Sequence, residues 1–244
     1  MPDAESNLNC NLCGGDVFGP FNGRPGVRCV GCGSLERTRL LWMYLEMLEL
    51  PARASILHIA PEPVIGRKLI ERLPQCAYTR ADIDTQRYAS GGPCTYIDLC
   101  DLDGWPSASY DLILHVHVLE HTPCNIAYTL YHLHRMLKPS GRHVLGVPFL
   151  SGQYDESFQP LSDQEKKTRF AQWDHVRRFG RRDIGRHIGA LLRLPEKINL
   201  TDLFQASALR QANIPQKSWD TFDMNTILNL GRYDMKLSEG FWYA

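Results

Sequence analysis

Along the middle of the chain, short apolar runs alternate with stretches whose apolar residues recur at helical spacing. Ser55–Ile59 is a buried-strand run, Ala60–Pro63 a tight turn, about Ile65–Arg72 a helix, and Cys76–Ala81 a second strand running into the acid Asp82. Gly91-Gly92-Pro93 makes a turn before a short third strand, Thr95–Leu99, which contains Asp98. Tyr110–Leu119 is apolar on both faces, as a central parallel strand is. Ile126–Leu137 carries a helical pattern, Lys138-Pro139-Ser140-Gly141 stops it, and His143–Phe149 is a further strand. Strands alternating with helices predict a doubly wound α/β sheet. Thr226–Tyr233 reads as one more strand, the antiparallel last of such a sheet.

Two regions stand outside this alternation. Leu35, Leu40, Leu41, Tyr44, Leu45 and Leu48 form a helical stripe near the N-terminus, with Ser34 as its cap. Its first turns carry Glu36, Arg37 and Arg39, which are either a solvated face or the border of a cleft. Pro148–Trp173 lacks periodicity, the pattern of a lid or binding loop. A helix is expected around Arg181–Arg193, and Ile198–Ala208 is ambiguous. Phe241-Trp242-Tyr243 is an aromatic tail suited to packing back on the domain or to a homodimer contact.

Composition narrows the function. The 244 residues hold 27 Lys and Arg against 27 Asp and Glu, and the pI is about 7.1. Nothing global calls for nucleic acid or an anionic membrane. No apolar run reaches membrane-spanning length. Met1–Asn9 has neither the basic nor the apolar part of a signal peptide. Eight cysteines in that context point to a reducing, cytoplasmic setting and to metal rather than disulfides.

Four of those cysteines have a specific spacing. Cys10-x-x-Cys13 and Cys29-x-x-Cys32 stand fifteen residues apart, a zinc-site pattern. Two such turns complete a tetrahedral sulfur shell with no open position, so the expected Zn2+ is structural. The domain boundaries that follow are a zinc ribbon over 1–34, a linking helix over 35–50 and a main domain over 51–244, with 148–180 as its loop or lid. Cys76, Cys94, Cys100 and Cys124 read as small thiols.

The strand–turn–helix–strand of Ser55–Ala81, with Asp82 beyond it, has the logic of a nucleotide-binding unit. Its turn, Ala60-Pro61-Glu62-Pro63, lacks the glycine signature, and two prolines remove two N–H donors. A ligand with a ribose but no pyrophosphate suits such a turn, and S-adenosylmethionine (SAM) is one. Ser109-Tyr110-Asp111-Leu112-Ile113, Val118-Leu119-Glu120-His121 and Leu133-His134-Arg135-Met136-Leu137-Lys138-Pro139-Ser140-Gly141 together resemble the class I SAM-dependent methyltransferases of the broad "type 11" kind. The ribbon and Asp174-His175-Val176-Arg177-Arg178-Phe179-Gly180 resemble a bacterial subset acting in pathways for small molecules or surface sugars.

The resemblance implies a Rossmann-like sheet and a set of roles. Backbone around Ala60, Pro61 and Glu62 approaches the methionine and ribose. Asp82 binds the ribose hydroxyls, Asp98 accepts from the adenine amino group with the Leu99 N–H near the ring, and Val116–Leu119 floor the methyl site. Beyond the resemblance, His121 and His175 are candidate bases, with His117 next. His115 reads as core, and His132, His134 and His143 as peripheral. No His/Asp/Glu spacing marks a catalytic metal site. Lys166 to Arg193 carries nine Lys or Arg against two Asp, which suggests an anionic small-molecule substrate gripped by Arg177 or Arg178, with Tyr154 in the same loop. The alternatives are an RNA or protein methyltransferase that uses the ribbon for recognition, or a methyltransferase-like interaction module without catalysis.

Overall fold

The computed structural model describes residues 8–236. The strands are β1 (Phe18–Phe21), β2 (Arg24–Cys29), β3 (Ser55–Ile59), β4 (Ala77–Asp82), β5 (Thr95–Tyr96), β6 (Tyr110–Val116), β7 (Leu137–Gly146), β8 (Phe149–Leu150), β9 (Asp155–Glu156), β10 (Arg177–Gly180) and β11 (Ile227–Gly231). The helices are α1 (Glu36–Glu46), α2 (Pro63–Arg72), α3 (Ile126–Met136), α4 (Asp163–Phe170), α5 (Ile188–Leu191) and α6 (Ala206–Gln211).

Six strands form the central sheet in the order β11-β7-β6-β3-β4-β5. All neighbours are parallel except β11, which pairs antiparallel with β7. Alternate residues of each central strand enter opposite cores. Ile56, Leu112, Leu114 and Val144 face α1, α2 and the N-terminal ribbon, while Leu57, Ile113 and Leu145 face Leu130, Leu133 and Met136 of α3. The result is a Rossmann-like layer structure whose ligand crevice lies at the carboxyl ends of the parallel strands.

The four cysteines form a cluster with the geometry of a zinc ribbon. One ligand atom from each lies within 4.8 Å of the others. Cys10 and Cys32 Sγ are 3.6 Å apart, and Cys13 and Cys29 Sγ 3.5 Å. A tetrahedral shell with zinc–sulfur bonds of about 2.3 Å needs sulfurs roughly 3.8 Å apart, so the set fits that ion. β1 and β2 are joined by Asn22-Gly23, both left-handed (φ 47° and 74°), as a tight hairpin requires. Ser34 does not cap α1, whose N-cap is Leu35; its hydroxyl instead lies 3.3 Å from Cys10 Sγ and 3.2 Å from Cys32 Sγ.

The ribbon is not an independent lobe. Cys10, Leu12 and Cys29 share one apolar core with α1, Ile198, Leu200 and Leu209. Arg39, fully buried, donates to Ser34 O and Val27 O on the ribbon side and to Ala212 O and Asn213 O after α6. Glu36 is buried too and pairs with Arg24. The polar first turns of α1 are therefore an interior junction, not a solvated face.

Several expected elements differ. The third strand is only Thr95–Tyr96, because Ile97 and Leu99 turn into the core and Asp98 bridges Asp101. The central strand stops at Val116, since His117 is left-handed (φ 56°). The last parallel strand begins at Leu137 rather than His143. Residues 138–141 bulge from it, so that Tyr110 faces Leu137 but Leu112 faces Arg142. Residues 148–180 are folded: β8, β9 and β10 make a small sheet ordered β8-β10-β9, and α4 is closed by a Ser162/Glu165 capping box. The region 181–193 holds only a 3-10 turn and the four-residue α5. Cys100 and Cys124 are joined as a disulfide, with Cα atoms 5.6 Å apart, and are not separate thiols. The aromatic tail lies outside the described residues.

Candidate active site

The crevice is a cavity of about 520 Å3 at the carboxyl ends of β3, β4 and β6. Its walls show how the unusual turn works. Ala60 is left-handed (φ 49°), which turns the chain sharply off β3. The Glu62 N–H donates to His58 Nε2 (3.4 Å), and His58 Nδ1 donates to Tyr78 Oη (2.7 Å). This turn thus has Pro at 61 and 63 and its remaining N–H already committed, so it offers no phosphate cradle. Gly66 completes it: a Cβ there would lie 2.5 Å from Tyr78 Oη, so glycine lets α2 close on the sheet.

Asp82, Asp98, Leu99 and Val116 all line the cavity, as do Ala60 and Glu62. Pro61 is buried beside them. The Asp82 carboxyl is raised above its ordinary value by burial, and Asp84 N–H donates to it (2.8 Å). Asp98 accepts from Cys100 N–H (2.8 Å), which leaves its second oxygen for a ligand. Arg37, from α1, enters the same cavity beside Glu62 and His117, and its buried Nε has no hydrogen-bond partner among the described residues. Of the two readings of the first turns of α1, a solvated face or the border of a cleft, Arg37 fits the second.

The histidines divide sharply. His121 lines the cavity, with Nδ1 3.2 Å from Asp174 O and 3.5 Å from Asp174 Oδ2. His175 packs edge-on against it, ring centroids 4.7 Å apart, and is buried. His175 Nδ1 donates to Phe170 O (2.9 Å), so its proton is fixed there; burial lowers its pKa. His117 donates from Nε2 to Met224 O (2.9 Å), and burial lowers its pKa to about 3. Glu120, absent from the expected site, is buried between them with neither oxygen hydrogen-bonded among the described residues. Burial pushes its carboxyl up to about 8. His115 meets His143 in the core (Nε2 to Nε2, 2.9 Å), and His134 stacks edge-on against His143. His134 and His143 are thus fully buried core groups, not peripheral ones.

The expected substrate grip is corrected. Arg177 is fully buried, and its guanidinium donates to Leu119 O, Thr122 Oγ1 (2.7 Å) and Cys124 O (2.5 Å). It holds the loop after β6 and reaches no ligand. Arg178 donates to Gln153 O (3.3 Å), and Tyr154 donates to Glu156 Oε2 (2.7 Å) while stacking on His187. Neither lines the cavity; the folded insert contributes Gln172 and Asp174 instead.

Comparison with known proteins gives the family of the chain. The model of the family described as "Methyltransferase domain" matches residues 42–190, more than half of the chain. The chain belongs to that family, and it is a class I SAM-dependent methyltransferase. Among solved structures it is similar to YcgJ from Bacillus subtilis (14% identity, 72% of this chain and 78% of that one, TM-score 0.41). It is also similar to an S-adenosylmethionine-dependent methyltransferase from Mesorhizobium loti (18%, 52% and 62%, TM-score 0.40). A third is coclaurine N-methyltransferase bound to N-methylheliamine and SAH (15%, 72% and 52%, TM-score 0.42). The chain spans less than two thirds of the last two. No curated protein matches it.

Proposed function

We propose that this enzyme transfers the methyl group of SAM to an oxygen or nitrogen of a small metabolite, and that the four-cysteine cluster holds a structural Zn2+. The observation that carries the reading is the pairing of Asp82 and Asp98 across one cavity. Two carboxylates at neighbouring strand ends are the acceptors that ribose hydroxyls and an adenine amino group need. Arg37 lines the same cavity beside Glu62 and His117 and is suited to the cofactor's α-carboxylate. Bound SAM would supply an activated methyl group, whose bond to sulfur breaks as the acceptor's lone pair bonds to the methyl carbon and S-adenosylhomocysteine leaves as a neutral thioether, so alignment would supply most of the rate. The partly enclosed cavity and the balanced charge favour a small acceptor over RNA. With Arg37 on the cofactor, an anionic acceptor would be met by Arg87, the other arginine that lines the cavity, since Arg177 and Arg178 do not line it. No helix among the described residues is long and apolar enough to cross a membrane.

Calorimetric titration with S-adenosylhomocysteine tests the reading. The zinc-loaded protein is expected to bind at micromolar concentration, and Asp82→Ala to bind at least ten-fold more weakly, the loss of a charge-assisted acceptor worth about 1.5–3 kcal/mol. Absence of binding at millimolar ligand would defeat the reading, and an unchanged Asp82→Ala would remove Asp82 from the site.

A further inference from the structure

Glu120, His121 and His175 come from two distant stretches of chain, yet one ligand atom from each lies within 4.8 Å of the other two. The environment of each group is that of a cation ligand. His175 spends its Nδ1 proton on Phe170 O (2.9 Å), so the neutral ring presents a lone pair at Nε2; that atom is buried and has no hydrogen-bond partner among the described residues. His121 has Asp174 against Nδ1. A metal-bound imidazole is usually oriented in this way, by a carbonyl or carboxylate on its other nitrogen. Both oxygens of Glu120 are buried without a hydrogen bond from the described residues, in a residue 1% exposed. His117 adds another lone pair, because its Nε2 proton goes to Met224 O and Nδ1 sits 3.6 Å from Glu120 Oε1. Lone-pair groups therefore converge here with no hydrogen bond made to them by the described residues, and a buried acceptor left in that state is costly.

The nearby cations act on Glu120 through their charge but make no hydrogen bond to it among the described residues. Arg177 directs its guanidinium to Leu119 O, Thr122 Oγ1 and Cys124 O, with its Nε towards Glu156. Arg37 has no hydrogen bond to Glu120 among the described residues. The arginine contacts do explain how the cluster is assembled: Arg177 holds Leu119 and Thr122, and Val176 N–H donates to Glu120 O (2.9 Å), so the Asp174–Arg177 segment is pinned against Glu120–His121.

We infer that Glu120, His121 and His175 form a binding site for a divalent first-row transition cation on the wall of the cavity. Two imidazoles and one carboxylate suit borderline ions such as Zn2+, Fe2+ or Co2+. Three protein ligands leave coordination positions open, unlike the closed cysteine cluster. Since Glu120, His121 and Asp174 line the cavity, an acceptor oxygen is the ligand that can fill such a position. That use rests on the methyl-transfer reading; the binding of the cation does not.

The test is titration of the intact protein, its cysteine cluster already loaded with Zn2+, with Co2+ followed by visible absorption. One equivalent of Co2+ is expected, with weak ligand-field bands and no thiolate charge transfer. Glu120→Gln and His175→Gln are each expected to weaken it by at least ten-fold. S-adenosylhomocysteine titrations of the same preparations show whether each variant is folded and judge the cofactor reading separately. His121→Gln replaces either variant if one does not fold. No Co2+ uptake, uptake through thiolates, or uptake unchanged in folded variants would overturn the site. S-adenosylhomocysteine bound without Co2+ would leave the methyltransferase reading standing alone; Co2+ bound without S-adenosylhomocysteine would do the reverse.

Discussion

His58 shows how one side chain can replace a sequence signature. It sits on β3, is buried, and takes the Glu62 N–H on one nitrogen while giving its proton to Tyr78 on the other. Burial first, then the charges of Arg80 and His115, lowers its pKa to about 3. The unfolded chain, with an ordinary value near 6.5, therefore binds the proton that the folded chain refuses. The corresponding stability is complete above about pH 6.5 and is lost as pH falls towards 3, at about 1.4 kcal/mol per pH unit. His58→Phe is expected to flatten the acid limb of the stability curve by that slope, whatever it does to stability at neutral pH. Denaturant unfolding at pH 5.0, 5.5, 6.0 and 7.0 checks it; an unchanged slope would mean that His58 is not held neutral. The same scale explains Arg177. Its charge in a basic stretch suggested a ligand, but a fully buried guanidinium with carbonyls and a hydroxyl around it is a brace.

Among the elements, α2 is the one whose placement decides the shape of the crevice. It is entered through Pro63 at its first position and closes on the sheet at Gly66, where only a hydrogen separates the backbone from the Tyr78 hydroxyl. Tyr78 is tied to His58 and cannot move freely. Gly66→Ala is expected to lower stability by about 1–3 kcal/mol, the usual cost of overpacking. In Tyr78→Phe, which lacks the clashing oxygen, the same change should cost less. Thermal unfolding of the four proteins in that cycle measures the coupling, and equal costs in both backgrounds would show that the hydroxyl is not the obstacle. The insert over 148–180 is the other decisive element. Its strands are two to four residues long and its pairing is local, so no periodicity announces it. It nevertheless delivers Asp174 and His175 to the end of β6.

For the whole molecule, the consequential connection runs from the cysteine cluster through α1 to the cavity. Arg39 joins the ribbon to the segment after α6, and Arg37, two residues earlier, lines the cavity. The proposed Zn2+ would supply folding free energy to a cluster this small. Chelation of Zn2+ is expected to raise amide exchange first over residues 8–34. Because Arg39 bridges the two, exchange over 206–214 should rise with it. The same treatment should weaken S-adenosylhomocysteine binding through Arg37. Exchange confined to 8–34, with ligand affinity unchanged, would show that the ribbon is energetically separate from the cavity.

By itself the sequence determined what depends on local order: the α/β alternation, the paired Cys-x-x-Cys turns, the acids at the ends of β4 and near β5, and the motifs of the family. These follow from side-chain period and fixed spacing, which fold into one place over a few residues. Only the tertiary structure decided which charges are spent inside the protein and which meet the cavity. Arg37 and Arg177 are indistinguishable as letters, yet one enters the cavity and the other braces a loop. Glu120 and His175 lie fifty-five positions apart in the numbering, and their meeting depends on the local sheet of the insert and on Arg177 beneath it. Burial and long-range contact set the chemistry of such groups, and neither is a property of the order of residues alone.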